Sequence, residues 1–163
     1  MALVDYFLKI DGIQGESQDS KHKNEIQLES WDWGQQNSGS FSQLGGGGVG
    51  KVQMEDMLFT KVLDQSDPNL AKACATGQHI PSATLTCRRA GGSQQEYLII
   101  KLSDVLVSSY HVGGSAGSDV LPSSRFTLNF AKISKTYNAQ KADGTAGGSV
   151  KFEYDQKANA AAA

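Results

Sequence analysis

The sequence has few cysteines and no long apolar run, and each shortage narrows the class of protein. Cys74 and Cys87 are its two cysteines, and both are expected to be small buried hydrophobic residues, with a single disulfide as the alternative. No apolar stretch approaches the roughly 20 residues that a membrane helix needs. Asp5 and Lys9 interrupt the N-terminal apolar pattern, which predicts no cleavable secretory signal and a chain that folds in the cytoplasm.

A dominant sign of charge is also missing. Fifteen basic and seventeen acidic side chains give a formal charge of −2, which favours neither nucleic acid nor an anionic membrane as a partner. The 163 residues, 39% hydrophobic, predict one globular domain over residues 1–156. Residues 157–163 are predicted to be a disordered tail whose terminal alanines are typical of a cloning remnant. Glycine is abundant, with 18 residues, and indicates many turns, bulges and mobile loops.

Alternating apolar residues predict β-strands along most of the chain. The predicted strands lie at 3–10, 24–33, 51–63, 83–89, 94–102, 105–112, 125–137 and 149–155. The clearest hairpin has its turn at Ala90–Ser93, and residues 136–148 are predicted to be a loop. The single predicted helix has Asp67 as its N-cap, Pro68 at its first position and Gly77 just past its end.

Roughly seven to nine strands with one short helix indicate a mainly β protein, either a barrel or a sandwich. The apolar positions change phase between Leu28 and Trp31, which indicates a twist or a bulge, and again between Phe130 and Ile133, which indicates a bulge. These two phase changes and the many glycines favour the barrel, because closure of a sheet needs sharp bends.

Two stretches imitate catalytic or nucleotide-binding motifs, but neither is complete. Residues 45–52 nearly match a phosphate-binding loop, yet Val52 lacks the required hydroxyl, and a strand rather than a helix follows. Residues 113–117 match a nucleophile elbow around Ser115, but no helix follows them. The sequence therefore predicts no catalytic residue and no cofactor, and the protein is not expected to be an enzyme.

The three histidines do not form a metal site by their spacing. His22, His79 and His111 are scattered and have no ligand-type separation from each other or from the cysteines. His22 is expected to be solvated within a charged loop. No metal is predicted.

Trp31 and Trp33 lie on the same face of the second predicted strand, since alternate residues of a strand share a face. Their two indoles would bury a large apolar area, so both are predicted to be core anchors. Ser30 and Asp32 then lie on the opposite face.

Eleven short stretches, in this order along the chain, resemble one protein family. They are Tyr6–Ile10, Gly15–Ser17, Trp31–Gly34, Gly45–Lys51, Phe59–Lys61, Pro68–Leu70, Ala90–Gly92, Glu96–Ile100, Leu106–Ser109, Leu128–Phe130 and Gln140–Gly144. Together, over about residues 2–156, they resemble the Hcp family, the tube protein of bacterial type VI secretion.

The resemblance implies a mainly β fold, a β-barrel of two curved sheets with one short α-helix on its flank, similar to phage tail tube proteins. It implies homohexameric rings that stack into a tube expelled by sheath contraction, with effectors carried and protected in the lumen. The implied partners are the subunit itself, the VgrG spike, contractile sheath and baseplate proteins, and secreted effectors, without nucleic acid or membrane insertion. The protein would be cytoplasmic before firing and then secreted or delivered into a target cell. The alternative is a secreted effector, cargo-binding module or chaperone on the same scaffold without tube assembly.

The resemblance also implies roles for two sets of residues. In relatives the position of Asp32 is often a small polar residue that faces the lumen, so Ser30 and Asp32 are the cargo-facing candidates; the alternative is that Asp32 only keeps the surface hydrated. Residues 34–50 are expected to form an arm that reaches a neighbouring subunit or ring, the alternative being a free surface loop. The contact candidates on this arm are Gly45, Gly46, Gly47, Gly48, Gly50 and Lys51.

Overall fold

The computed structural model describes residues 3–39, 50–90, 94–117 and 119–161. These residues form eleven strands and one helix. The elements are β1 (Val4–Ile10), β2 (Ile26–Leu28), β3 (Ser30–Asp32), β4 (Gln35–Gln36), β5 (Gln53–Met54), β6 (Met57–Val62), α1 (Asp67–Thr76), β7 (Ile80–Arg89), β8 (Glu96–Gly113), β9 (Ser123–Gln140), β10 (Ala146–Asp155) and β11 (Ala160–Ala161).

Nine of the strands form one antiparallel sheet, and β4 and β5 form a small second sheet. The order in the large sheet is β11-β10-β9-β8-β7-β1-β2, and β6 pairs with both β9 and β3. The long strand β9 pairs with two different strands along one edge. Its first part pairs with β6, and its second part pairs with β10. The predicted hairpin of residues 83–102 is confirmed by the β7–β8 ladder.

The predicted phase change after Leu28 is confirmed as a change of partner. Residues 26–28 pair with β1, whereas residues 30–32 pair with β6. Between them, the Glu29 N–H donates to the Thr60 carbonyl over 2.8 Å. The predicted mainly β fold of two sheets with one short helix is confirmed. The hydrogen-bonded ladders between described strands do not close the large sheet into a barrel. β2 and β3 do not pair with each other, and only the chain itself connects them, through Glu29.

The second phase change is shared by neighbouring strands. Phe130 and Ile133 are both buried although they are three residues apart, and so are their partners Val105 and Leu102 on β8. Asp104, between those partners, has a φ of 55°. Because both strands shift at the same level, their register is kept, so the predicted bulge, an extra residue on one strand only, is not present there. The predicted break at 103–104 lies inside one continuous strand, β8.

Three further predictions are corrected by the structure. Residues 51–63 are two strands in different sheets, β5 and β6, instead of one. The predicted loop at 136–148 is mostly a hairpin, since β9 and β10 continue into it. The tail predicted to be disordered has a turn and then β11 in its described part, where Ala160 and Ala161 pair with Asp155 and Tyr154.

The helix lies where it was predicted, but its cap differs. Ser66 is the N-cap and makes no side-chain capping bond, and Asp67 is already helical. Asp67 does not cap because its carboxylate is held by Lys61 and Tyr110. At the other end Gly77 has the predicted left-handed conformation (φ 65°), and its N–H donates to the Ala73 carbonyl.

The core is one cluster of apolar side chains from β1, β2, β6, β7, β8, β9 and α1. Leu70 and Ala73 of the helix are fully buried, and the rings of Phe59 and Phe126 stack with centroids 5.2 Å apart. Both cysteines are free thiols, so the disulfide alternative does not hold. Burial raises the pKa of Cys87 to about 12, which makes it an inert core residue.

Candidate functional site

The face of the sheet opposite the core is a candidate functional surface on β3, β6, β9 and the end of β8. Trp31, Phe59 and Phe126 are register partners on the core side of these strands. Since side chains alternate, their neighbours point outward. We call this surface the polar face, and its polar members are Ser30, Asp32, Thr60, Arg125, Thr127, Asn129, Ser108, Ser109 and His111.

Both cargo-facing candidates lie on the polar face. Ser30 is opposite Thr60, which is in turn opposite Arg125. Asp32 is opposite Leu58, and both Ser30 and Asp32 are exposed. The two side chains are therefore accessible to another molecule.

A hydroxyl network around Asp56 organises the middle of the polar face. Asp56 accepts hydrogen bonds from Ser108 Oγ at 2.7 Å and from Asn129 Nδ2 at 2.8 Å. Thr127 Oγ1 lies 2.7 Å from Ser108 Oγ and 2.6 Å from Ser109 Oγ. Both serines reach Thr127 because β8 shifts register between Val107 and Ser109. Sequence reasoning missed Asp56, since only the cross-strand register brings these groups together.

Charges of both signs stand on the polar face. In the described parts of the chain, Asp32, Arg125 and His111 form no ion pair with each other or with another residue. Arg125, the register partner of His111, adds positive charge at one end, while Asp32 and Asp56 add negative charge. A hydrated face with uncompensated charge can attract a partner of matching charge.

The two tryptophans lie behind this face at the margin of the core. Both are half-buried and pack against the core residues. Trp31 meets the ring of Tyr6 edge-on, with centroids 6.4 Å apart, and Trp33 lies 6.5 Å from the ring of Phe130. Movement of Asp32 is thereby limited, because its neighbours on both sides in the chain are packed indoles.

The arm begins as a two-stranded ribbon. Gln35 and Gln36 pair with Met54 and Gln53, and the Gly50 N–H donates to the Ser38 carbonyl over 3.2 Å. A Cβ on Gly50 would lie 2.7 Å from that carbonyl oxygen, so only glycine fits at this position. Lys51 is exposed. The other contact candidates, Gly45 to Gly48, lie outside the described residues.

His22 is not solvated, and that prediction is wrong. It is buried, its ring stacks on Phe7 at 4.5 Å, and its Nδ1 lies 2.9 Å from Glu25 Oε2. Its Nε2 lies 2.8 Å from Oε1 of Glu96, a residue 74 positions away in the chain. This distant partner explains why local sequence could not place the histidine.

Lys61 is fully buried and is the centre of a charge cluster beside the N-terminus of α1. Its Nζ donates to Asp64 Oδ1 at 2.9 Å and also to Asp67. The Tyr110 hydroxyl donates to Asp67 Oδ1 at 2.7 Å. Burial acts to raise the pKa of Asp67, but hydrogen bonds from the Asp64 N–H, Lys61 and Tyr110 outweigh it, so that pKa lies below its usual value.

Two kinds of feature are not found in the described residues. No three His, Cys, Asp or Glu side chains gather closely enough there to hold a metal ion. No helix in the same ranges is long and apolar enough to cross a membrane.

Comparison with known proteins identifies the family. The family described as "Type VI secretion system effector, Hcp" matches residues 7–137. Protein hcp1 of Pseudomonas aeruginosa strain PAO1 is 50% identical over 158 residues, which are 96% of this chain and 97% of that protein. The chain belongs to the Hcp family. The resemblance predicted from the eleven stretches is confirmed.

Solved structures agree in fold with this Hcp. Hcp1 from Salmonella typhimurium is 35% identical with a TM-score of 0.79, over 99% of this chain and 100% of that chain. A structure described as a type six secretion system protein is 29% identical with a TM-score of 0.92, over 97% of this chain and 99% of that chain. This Hcp is thus a tube subunit of the type VI secretion system, a secreted structural protein that self-associates.

Proposed function

We propose that six copies of this Hcp close into a ring, that rings stack into a tube, and that the polar face lines the lumen. The observation that carries the proposal is the polar face, whose exposed side chains lie directly across the sheet from the core. A head-to-tail interface that closes on itself makes a ring, and a second heterologous interface between ring faces makes a stack. A hydrated lumen wall suits the transport of proteins.

The same proposal covers the cellular setting. The buried apolar residues form one cluster, which supports a single domain over residues 1–156. The subunit is in the bacterial cytoplasm before firing and outside the cell or in a target cell afterwards. Its partners are the VgrG spike, the contractile sheath and baseplate, and effectors in the lumen.

Asp32 is expected to select cargo by charge. One exposed carboxylate per subunit gives a six-membered ring six of them, and a surface charge contributes up to about 1 kcal/mol to an ion pair, which is roughly fivefold in affinity. Asp32→Ser rings should retain a basic effector several-fold less than parent rings, and Asp32→Lys rings less still. Retention is measured by co-purification of the effector with rings of each variant.

Glu16→Lys makes the same charge reversal as Asp32→Lys, on an exposed residue of the loop before β2. It should leave retention unchanged. Equal retention by parent, Asp32→Ser and Asp32→Lys rings would show that Asp32 only hydrates the surface.

The arm is expected to join rings. Deletion of Gly45–Gly48 should leave six-membered rings intact but reduce their stacking several-fold, because Gln35 and Gln36 pair with Met54 and Gln53 without the deleted residues. Native mass reports the ring, and negative-stain images report the tubes.

Replacement of the same four glycines by serines keeps the arm's length and serves as the control. Normal tubes after the deletion would show that the arm is a free surface loop. A stable monomer for the parent protein would overturn the ring proposal itself and favour an effector or chaperone without tube assembly.

A further inference from the structure

A cavity of about 540 Å³ lies at the end of β1, away from the polar face. One wall is the end of β1 and the turn that follows it, residues 9–14, and the other wall is the segment 20–25. Lys9, Lys21 and Lys23 line it, and all three are exposed. A cavity of this size is within the range of ligand sites, but its lining is too polar for an apolar ligand.

The three lysines have no ion-pair partner in the described parts of the chain. Two carboxylates also line the cavity, but Asp11 accepts from Ser82 Oγ at 3.0 Å, and Glu25 faces His22 at 2.9 Å. Three ammonium groups therefore stand beside two carboxylates, which leaves one positive charge in excess at the cavity. This local excess of positive charge stands out in a chain whose net charge is −2.

The segment that carries two of the lysines is firmly anchored. Asp19 is held by Arg88, whose Nη1 and Nη2 donate to it at 3.0 and 2.7 Å, and Asp19 accepts the Lys21 N–H at 2.9 Å. His22, between the lysines, is buried against Phe7. Arg88 is itself only 3% exposed. The two lysines thus project from a fixed backbone. Ligand binding therefore does not carry the cost of ordering that backbone.

We propose that this cavity binds an acidic peptide segment of a partner protein. Lysines act as separate point charges and suit several carboxylates spread along a chain. Gln14, Ser20 and Asn24 also line the cavity and can hydrogen-bond peptide groups. The described residues that line the cavity include no arginine, whose planar fork would bind a compact phosphate through two hydrogen bonds. The site shares no residue with the polar face and does not depend on the ring proposal.

Fluorescence anisotropy of a labelled oligoglutamate peptide with the purified full chain tests the site. The combined variant Lys9→Gln, Lys21→Gln, Lys23→Gln should bind about tenfold more weakly, which corresponds to about 1.4 kcal/mol. An oligoglutamine peptide of the same length should not bind. Affinity should also fall as salt is added, because exposed charges are screened.

A second triple variant provides a matched control. Lys101→Gln, Lys132→Gln, Lys151→Gln removes the same charge from a different cavity, of about 580 Å³. There Lys132 and Lys151 already pair with Asp155 at 3.6 Å and Glu153 at 2.6 Å. This second triple variant should bind oligoglutamate with the affinity of the parent, within about twofold. Equal losses in both variants, or no oligoglutamate binding by the parent, would overturn the proposal.

Tripolyphosphate is added as a competitor in the last part of the experiment. Weak displacement of the peptide by it supports a peptide site. If instead tripolyphosphate binds through the three lysines far more tightly than oligoglutamate, the site is one for phosphates and the proposal is wrong. Thermal unfolding of both triple variants should match the parent, since all six lysines are exposed.

Discussion

Replacing Lys61 by alanine is expected to lower the free energy of unfolding by about 3–5 kcal/mol, the usual cost of breaking a buried ion pair on one side. Lys61 is completely buried and donates to both Asp64 and Asp67. Without the ammonium group, Asp67, with a side chain only 3% exposed, keeps a charge that water cannot reach. The substitution also leaves a cavity where the aliphatic part of the Lys61 side chain packs.

Urea unfolding at one fixed subunit concentration measures this effect, since self-association adds a concentration-dependent term. Lys72→Ala, on the exposed side of α1, should change the free energy of unfolding by no more than about 0.5 kcal/mol. Adding Asp67→Asn to Lys61→Ala should recover part of the loss, because the unpaired charge is removed. A loss below about 1 kcal/mol for Lys61→Ala would show that the cluster is not a stabilising element.

The cluster also sets a direction for the effect of pH. The lowered pKa of Asp67 contributes stability that is present above the ordinary aspartate pKa and is lost as the pH falls through the lowered value. The difference between the parent and Lys61→Ala should therefore shrink in acid.

Gly15→Ala is expected to cost about 3 kcal/mol, at the upper end for overpacking. A Cβ on Gly15 would lie 2.5 Å from the Glu25 carbonyl oxygen and 2.6 Å from the Ile26 Cα. These are backbone atoms that cannot turn aside as a side chain can. The Gly15 N–H donates to the Asn24 carbonyl at 2.8 Å, and the Ser17 N–H donates to the Glu25 carbonyl at 3.1 Å, so the segment cannot retreat without losing both bonds.

Thermal unfolding and hydrogen exchange of residues 14–25 measure the effect of Gly15→Ala. Gly148→Ala is the matched control, because a Cβ there meets nothing within 4 Å. It should be within about 0.5 kcal/mol of the parent. Similar stability of the two alanine variants would mean that the loop tolerates the collision by moving.

The sequence by itself determined the local elements and the family. Strand alternation located most strands, Gly77 marked the end of the helix, and the first phase change lies where the chain changes its partner strand. These features depend on residues close together in the chain, so periodicity and turn chemistry report them. The order of short stretches was enough to recognise an Hcp tube subunit.

Only the tertiary structure decided which strands meet and which polar groups share one place. The change of partner at Glu29, the pairing of His22 with Glu96 and the Asp56 network join segments far apart in the chain. The charge cluster of Lys61 and Asp67 likewise includes the distant Tyr110, which a strand pattern alone cannot show. Alternation tells which residues share a face but not what lies opposite, because cross-strand register is set by the packing of the whole sheet.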